Sequence, residues 1–413
     1  MKTLGKISVG VTVSIFGLVS LVLLWAFLSY PTEYVMRGIR WGDADVYDYQ
    51  KFPARSLAVS PSPFKFDEKL NEAMVQSVFE QNSTIDNLDD FLSKNRTQAF
   101  IVIQDDAILY EKYFNNASRD TIVTSFSVAK SFTSALIGTA IADGFIQSVD
   151  DPITAYLPEL AERDPAFANI TICDLLRMSS GIKYRENSFF NGDDTKTYYF
   201  PDLRQLALKE TSVVDPPGSH FLYNNYHPLL LGMILERATG MSVTAYLEAK
   251  IWKPIGMEFN GSWSLDSESS GFEKMESGLN GRAIDFAKFG RLYLNNGYWE
   301  GTHVVPAKWV GESTRADASI DSGAYYPDEF IFKSGRGYYG YLWWGLRRGQ
   351  TNYDFIALGN HGQFIYISPQ KSLIILRNGE SYGEFGGAKG WLDMFYQFAS
   401  GIRPSGDGYD HNS

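Results

Sequence analysis

The stretch Thr124-Ser125-Phe126-Ser127-Val128-Ala129-Lys130-Ser131-Phe132 sets a serine and a lysine three residues apart, where a helix is expected to begin. Helical periodicity runs over 124–141, after a Ser/Thr cluster able to cap it. On a helix, an i, i+3 spacing places both side chains on one face. The helix N-terminus points its free N–H groups at the same spot and favours developing negative charge. A hydroxyl needs a base to become a nucleophile, and a neighbouring amine can serve once it is neutral. Moving a lysine from about 10.4 into the 7–8 range costs roughly 4 kcal/mol, which burial and neighbours must supply. Ser127 is therefore the candidate nucleophile and Lys130 its candidate base. A chain of this length contains Ser-x-x-Lys about once or twice by chance, so the motif alone decides nothing.

Two further segments add weight. About a hundred residues on stands Pro217-Gly218-Ser219-His220-Phe221-Leu222-Tyr223-Asn224-Asn225-Tyr226. A turn precedes Tyr223 and a helix follows, and a residue at such a junction can project into a cleft. Tyr223 is a candidate proton relay, and Asn225 a candidate for holding a substrate amide or the lysine. The plain alternative is an ordinary Tyr/Asn-rich turn. The third segment is Gly359-Asn360-His361-Gly362-Gln363-Phe364, leading into a strand. Glycine there marks close backbone approach, so His361, Gly362 and Gln363 are candidates for the oxyanion and substrate-binding wall. The alternative is a Gly-rich turn entering a hairpin.

Around these segments, apolar runs at 99–103 and 109–114 flank Asp105-Asp106 and predict a hairpin. Helical patterns cover 228–238, 243–251, 285–294 and 386–399, and a second hairpin is expected from 364–368 and 373–376. Strands at both ends with helices between predict one α/β sheet built from N- and C-terminal segments, with a helical insertion and a cleft at their interface. Loops 183–197 and 322–341 are expected to shape that cleft.

The net charge of −11, with no basic patch, excludes nucleic acid as a partner. The single Cys173 forms no internal disulfide and lies in an apolar run as a core residue. Five histidines without ligand spacing predict no metal, and no cofactor motif stands out.

Residues 7–32 carry no charge, and 8–29 are long enough as a helix to span a bilayer. A cleaved signal is the alternative, but bulky residues occupy the end of the run, where small ones are wanted. The expected organisation is a tail (1–7), a transmembrane anchor (8–29), a tether (30–65), a globular domain carrying the three segments (66–403) and a disordered tail (404–413). Lys2 and Lys6 before the span are balanced by Arg37 and Arg40 after it, but the short tail also carries the α-amino group, which favours a domain outside the cytoplasm, periplasmic or extracellular.

In sum, Ser-x-x-Lys, Tyr-x-Asn and a Gly-rich third motif, in that order, resemble the motifs of the β-lactamase/penicillin-binding-protein family. Val149-Asp150-Asp151-Pro152, Ser179-Ser180-Gly181 and Trp252-Lys253-Pro254-Ile255-Gly256-Met257 fit the same pattern, and the resemblance covers about 66–400. It implies a mostly antiparallel sheet flanked by helices plus an all-helical subdomain. It also implies a serine hydrolase working on a small ester, amide or peptide-like substrate through an acyl-Ser127 intermediate, with Lys130 and Tyr223 transferring protons. The third motif lacks the family's usual lysine. That argues against a dedicated β-lactamase and towards esterase and amidase relatives, including the 6-aminohexanoate-dimer hydrolase-like subgroup, with β-lactamase or DD-peptidase activity as the alternative. A Ser-His-Asp hydrolase is a weaker alternative, since no Gly-x-Ser-x-Gly occurs. A non-catalytic envelope protein on the same fold is the reading from another class.

Overall fold

The computed structural model describes residues 17–82, 85–187, 189–316, 320, 322–325 and 330–403. The first hairpin pairs Thr97–Gln104 with Ala107–Tyr113. Asp105 and Asp106 both take positive φ, 54° and 60°, the two-residue turn whose twist suits paired strands. Thr97–Gln104 also pairs antiparallel with Leu373–Gly379, so the two ends of the domain share a sheet. From edge to edge its order is Gly337–Tyr339, Trp344–Arg347, Tyr353–Gly359, Gln363–Ser368, Leu373–Gly379, Thr97–Gln104, Ala107–Tyr113 and Asp67–Glu68. Only the last pair is parallel.

Helices cover both faces of this sheet. Alternate residues of a strand point to opposite sides. Ile365 meets the helix Ala283–Leu294, where a Cβ on Gly290 would lie 2.9 Å from its Cγ2. The adjacent Phe364 packs edge-on against Phe395 of Gly387–Gly401, on the other side. Phe398 of that helix stacks at 4.1 Å on Phe79 of Glu72–Asn82.

Between the two ends of the sheet the chain is mainly helical. Tyr226–Thr239 packs against the helix that follows Ser127, Val128–Ala142, and the shorter Ile172–Leu176 and Leu203–Lys209. A second, four-stranded sheet runs Ala54–Leu57, Gly261–Ser264, Leu279–Gly281, Val123–Thr124. It fixes the strand leading into Ser127 beside Leu279–Gly281. The layout of strands at both ends and helices between is therefore present. This second sheet, and the strands from 337 to 359, were not expected.

Residues 30–65, expected as a tether, carry packed structure. The helix Thr32–Trp41 buries Tyr34, Val35 and Arg37, and Ala54–Leu57 pairs with Gly261–Ser264. Tyr34, Val35 and Phe52 form a small core with Ala26 and Tyr199. The Arg37 guanidinium donates to Tyr199 O at 3.0 Å. Polar, proline-containing composition suggested a linker, but the aromatic residues scattered through it bury enough apolar surface to dock the segment. Among the described residues no helix is long and apolar enough to cross a membrane. The expected span 8–29 begins outside them, and the tail 404–413 lies wholly outside.

Candidate active site

The peptide entering the nucleophile helix is pinned on several sides. Ser125 N donates to Leu279 O at 2.8 Å, and Ser125 Oγ to Ser277 O at 3.2 Å. One turn on, Ser131 Oγ donates to Leu342 O at 2.9 Å. Phe126 takes φ +44°, a sparsely populated conformation that turns the chain sharply into the helix. Its ring packs between Tyr198 and His361. Ser127 follows at the helix N-terminus, and its hydroxyl makes no capping bond.

Lys130 Nζ lies 2.8 Å from Ser127 Oγ and donates to Glu276 O at 2.9 Å. The side chain is buried, and burial lowers its pKa to about 7, against weaker opposing pulls from Glu276 and Asp194. The free energy needed to neutralise the lysine thus comes from the fold, through desolvation.

The Tyr223 loop is held by Leu222 N donating to Met178 O at 2.7 Å and Asn224 Nδ2 to Ile182 O at 3.1 Å. The Tyr223 side chain is hydrogen-bonded to Ser127, and burial raises its pKa well above the ordinary value. The ring stacks on Trp344 at 5.6 Å and faces Lys130 Nζ at 5.0 Å. Asn225 Nδ2 donates to the Tyr184 hydroxyl at 2.9 Å, which donates to Asp194 at 2.6 Å. Asn225 Oδ1 is buried with no hydrogen-bond partner among the described residues.

The third motif divides. Gly359 approaches the nucleophile most closely: a Cβ there would lie 3.1 Å from Ser127 N and 2.4 Å from Ser125 O. Asn360 lines the cavity next to it. The His361 ring packs against Phe126 at 4.7 Å, is hydrogen-bonded to the main chain of Ala44 and Glu380, and has its pKa lowered by burial. Gly362 and Gln363 do not reach the cavity. Gly362, at φ +81°, gives its carbonyl to the buried Arg377 at 2.8 Å, and a Cβ would strike that guanidinium. Gln363 is turned into the sheet, donating to Gly379 O at 2.7 Å and accepting from Asn378 at 2.9 Å. The cause is register. Gly359 pairs with Gln363, so residues 360–362 are the turn and the strand end on the nucleophile side is Gly359.

Ser127 faces a cavity of about 550 Å³, whose lining does not include His361. Its walls include Phe126, Ser127, Asn225 and Asn360, together with residues whose role was not read from the sequence. Loop 183–197 supplies Phe189, Phe190, Asp194 and Thr195, in line with its expected part in shaping the cleft. Glu276 and Ser277 come from an irregular segment, and Gly38, Gly42, Asp43 and Ala44 from the N-terminal region. None belongs to the three motifs, and for Gly38, Ala44, Glu276 and Ser277 proximity in the fold is the signal. Among the described lining residues there is no Lys or Arg, whereas Asp43, Asp194 and Glu276 are acidic. Arg347 is engaged elsewhere, donating to Gly337 O and lying over Tyr338, and Arg336 lies over Tyr396.

A buried lysine against a serine at a helix N-terminus, with a tyrosine on the same hydroxyl, defines a Ser-x-x-Lys serine hydrolase. Residues 86–381 match the Beta-lactamase family, and the chain belongs to it. It is 26% identical over 307 residues to the 6-aminohexanoate-dimer hydrolase of Paenarthrobacter ureafaciens, covering 70% of this chain and 74% of that one. It is 27% identical over 236 residues to Esterase EstB of Burkholderia gladioli, covering 52% and 57%. A solved structure from Bacillus anthracis bearing the same dimer-hydrolase name superposes with a TM-score of 0.71 at 23% identity, over 87% of this chain and 92% of that one.

Proposed function

We propose that the protein cleaves a neutral ester or amide through an acyl-Ser127 intermediate. The observation that carries this reading is the 2.8 Å contact between Ser127 Oγ and a lysine whose pKa burial has brought to about 7. Neutral Lys130 takes the hydroxyl proton as Oγ bonds to the substrate carbonyl carbon. The oxyanion meets the Ser127 N–H and the main chain at Gly359–Asn360, at the positive end of the helix. The bond to the leaving atom breaks as that atom receives a proton relayed from Lys130 through the Tyr223 hydroxyl. Water then attacks the ester by the reverse route, releasing the acid and restoring Ser127. Asn225 Oδ1, without a partner, is the acceptor for a substrate N–H.

The acidic lining and the neutral His361 disfavour a carboxylate-bearing β-lactam and favour uncharged acyl groups. The relatives' names, a dimer hydrolase and an esterase, support cleavage of an amide or ester bond by this route. We also propose that the domain lies outside the cytoplasm, held to a membrane by the uncharged segment that includes 8–29; the absence of charge from 7 to 32 and the lysines before it support this.

The experiment is labelling with a fluorophosphonate, followed by peptide mapping. Wild type is expected to carry the label on Ser127, and Ser127→Ala to take none while keeping its fold. Equal labelling of both would overturn the nucleophile assignment.

A further inference from the structure

Residues 17–29 form a helix most of whose large apolar side chains face outwards, with only the side of Leu23 and Ala26 turned inwards. Leu28 is 79% exposed, Leu18 and Leu21 are 65%, and Leu24, Trp25 and Phe27 add to the surface. Hydrophobic surface of that extent, over most of a helix's circumference, is matched by lipid rather than by water. The uncharged run continues towards the N-terminus as far as Ile7. Trp25 and Tyr30 meet edge to face at 5.6 Å at the polar end, where interfacial aromatics belong.

This helix is tied to the catalytic cavity. Ala26 is fully buried in the same small core as Tyr34 and Tyr199, and Tyr199 lines the cavity. Rings continue from Tyr30 to Tyr34 at 5.4 Å and from Tyr34 to Phe190, a cavity residue, at 5.9 Å. The Tyr34 hydroxyl also donates to Phe190 O at 2.7 Å. After Pro31 the chain re-enters a helix and supplies Gly38 and Gly42 to the cavity wall. At 1.5 Å per residue, Leu28 and Gly38 are separated by on the order of 15 Å of chain. Beside them Phe189 lines the cavity while 67% exposed, an apolar lip left open among the described residues.

We infer that the cavity opens at the bilayer surface and takes its substrate from the membrane: a lipid-like ester or amide whose aliphatic part passes over Phe189 and Phe190 while its carbonyl reaches Ser127. This rests on the hydrolase reading and adds the substrate's source and class. Burying a long acyl chain in lipid raises its concentration at the membrane, and a cavity fixed there draws on that pool.

The test uses the full chain on vesicles of phosphatidylethanolamine and phosphatidylglycerol. Turnover of water-soluble p-nitrophenyl acetate is compared with that of p-nitrophenyl palmitate carried in the vesicles. The variant L21E/L24E/L28E charges only exposed positions. It is expected to stop floating with vesicles, to keep acetate turnover within about twofold, and to lose palmitate turnover by about tenfold or more. Unchanged palmitate turnover in the variant would overturn the inference. So would a wild type that floats and cleaves acetate but leaves palmitate intact. Turnover of neither ester by wild type would instead remove the hydrolase reading, and the inference with it.

Discussion

The main-chain carbonyl of Glu276 accepts a hydrogen bond from Lys130 at 2.9 Å, while the Glu276 carboxylate is held by Lys274 at 3.0 Å. One residue thus aims the candidate base with its backbone and is anchored through its side chain by a second buried lysine. With one N–H of the neutral amine committed to Glu276 O, the lone pair is left to face Ser127.

Lys274→Met should leave the Glu276 carboxylate buried without its cation, since the two side chains are only 2% and 3% exposed. Breaking such a pair on one side costs about 3–5 kcal/mol, whereas replacing both partners is far milder. Urea unfolding of Lys274→Met should show a loss of that order, and Lys274→Met/Glu276→Gln should recover most of it. A single variant as stable as wild type would mean that the pair contributes nothing.

The pH dependence of kcat/KM on a neutral ester should report Lys130. The amine is active when unprotonated, so activity should fall as pH drops below about 7 and level off above it. Stability follows the same group. An unfolded lysine keeps its proton up to its ordinary pKa of 10.5, whereas the folded one releases it above about 7. Between those values the unfolded state binds more protons, so stability rises with pH. Below about 7 both states are protonated and this contribution is absent. A rate profile flat from about pH 5 to 9 would remove Lys130 as the base.

Tyr223→Phe separates substrates by their leaving groups. Burial keeps this phenol protonated at neutral pH, suited to handing a proton on. A nitrophenolate leaves without being protonated, but an amine must gain a proton before it departs. Amide turnover should therefore fall by about 10²–10⁴, with a smaller loss on p-nitrophenyl acetate. Equal, small effects on both would assign Tyr223 a purely structural role beside Trp344.

Nitrocefin should be a poor substrate next to p-nitrophenyl acetate. Its carboxylate would meet a wall containing Asp43, Asp194 and Glu276 with no Lys or Arg among the described lining residues. A missing charge-assisted contact is worth roughly 1.5–3 kcal/mol, about ten- to a hundredfold. A clear preference for nitrocefin in kcat/KM would show that a cation reaches the cavity by a route these contacts do not reveal.

The parts of this protein legible in its sequence are those set by local spacing. Ser127 and Lys130 come together because they share one helix face, and the first hairpin forms because Asp105 and Asp106 suit its turn. Tyr223 reaches the same hydroxyl from a loop marked by its turn residues. Third-motif contacts depend on strand register. Gly359 rather than Gly362 faces Ser127, and nothing in Gly-Asn-His-Gly-Gln reveals which glycine ends the strand. Glu276, Asp194 and the 38–44 wall arrive through long-range packing, which leaves no local pattern.

The docked N-terminal region also decides where the enzyme can be severed from its apolar helix and survive. A cut near residue 65 would remove Ala54–Leu57, baring the edge of Gly261–Ser264. It would also take away the partner that Arg55 gives Glu273, and the glycines that close one side of the cavity. A cut near Pro31 would leave all of these in place. If the proposed membrane attachment holds, proteolytic shedding at that point would release an enzyme with its cavity walls complete, freed from whatever substrates the membrane alone supplies.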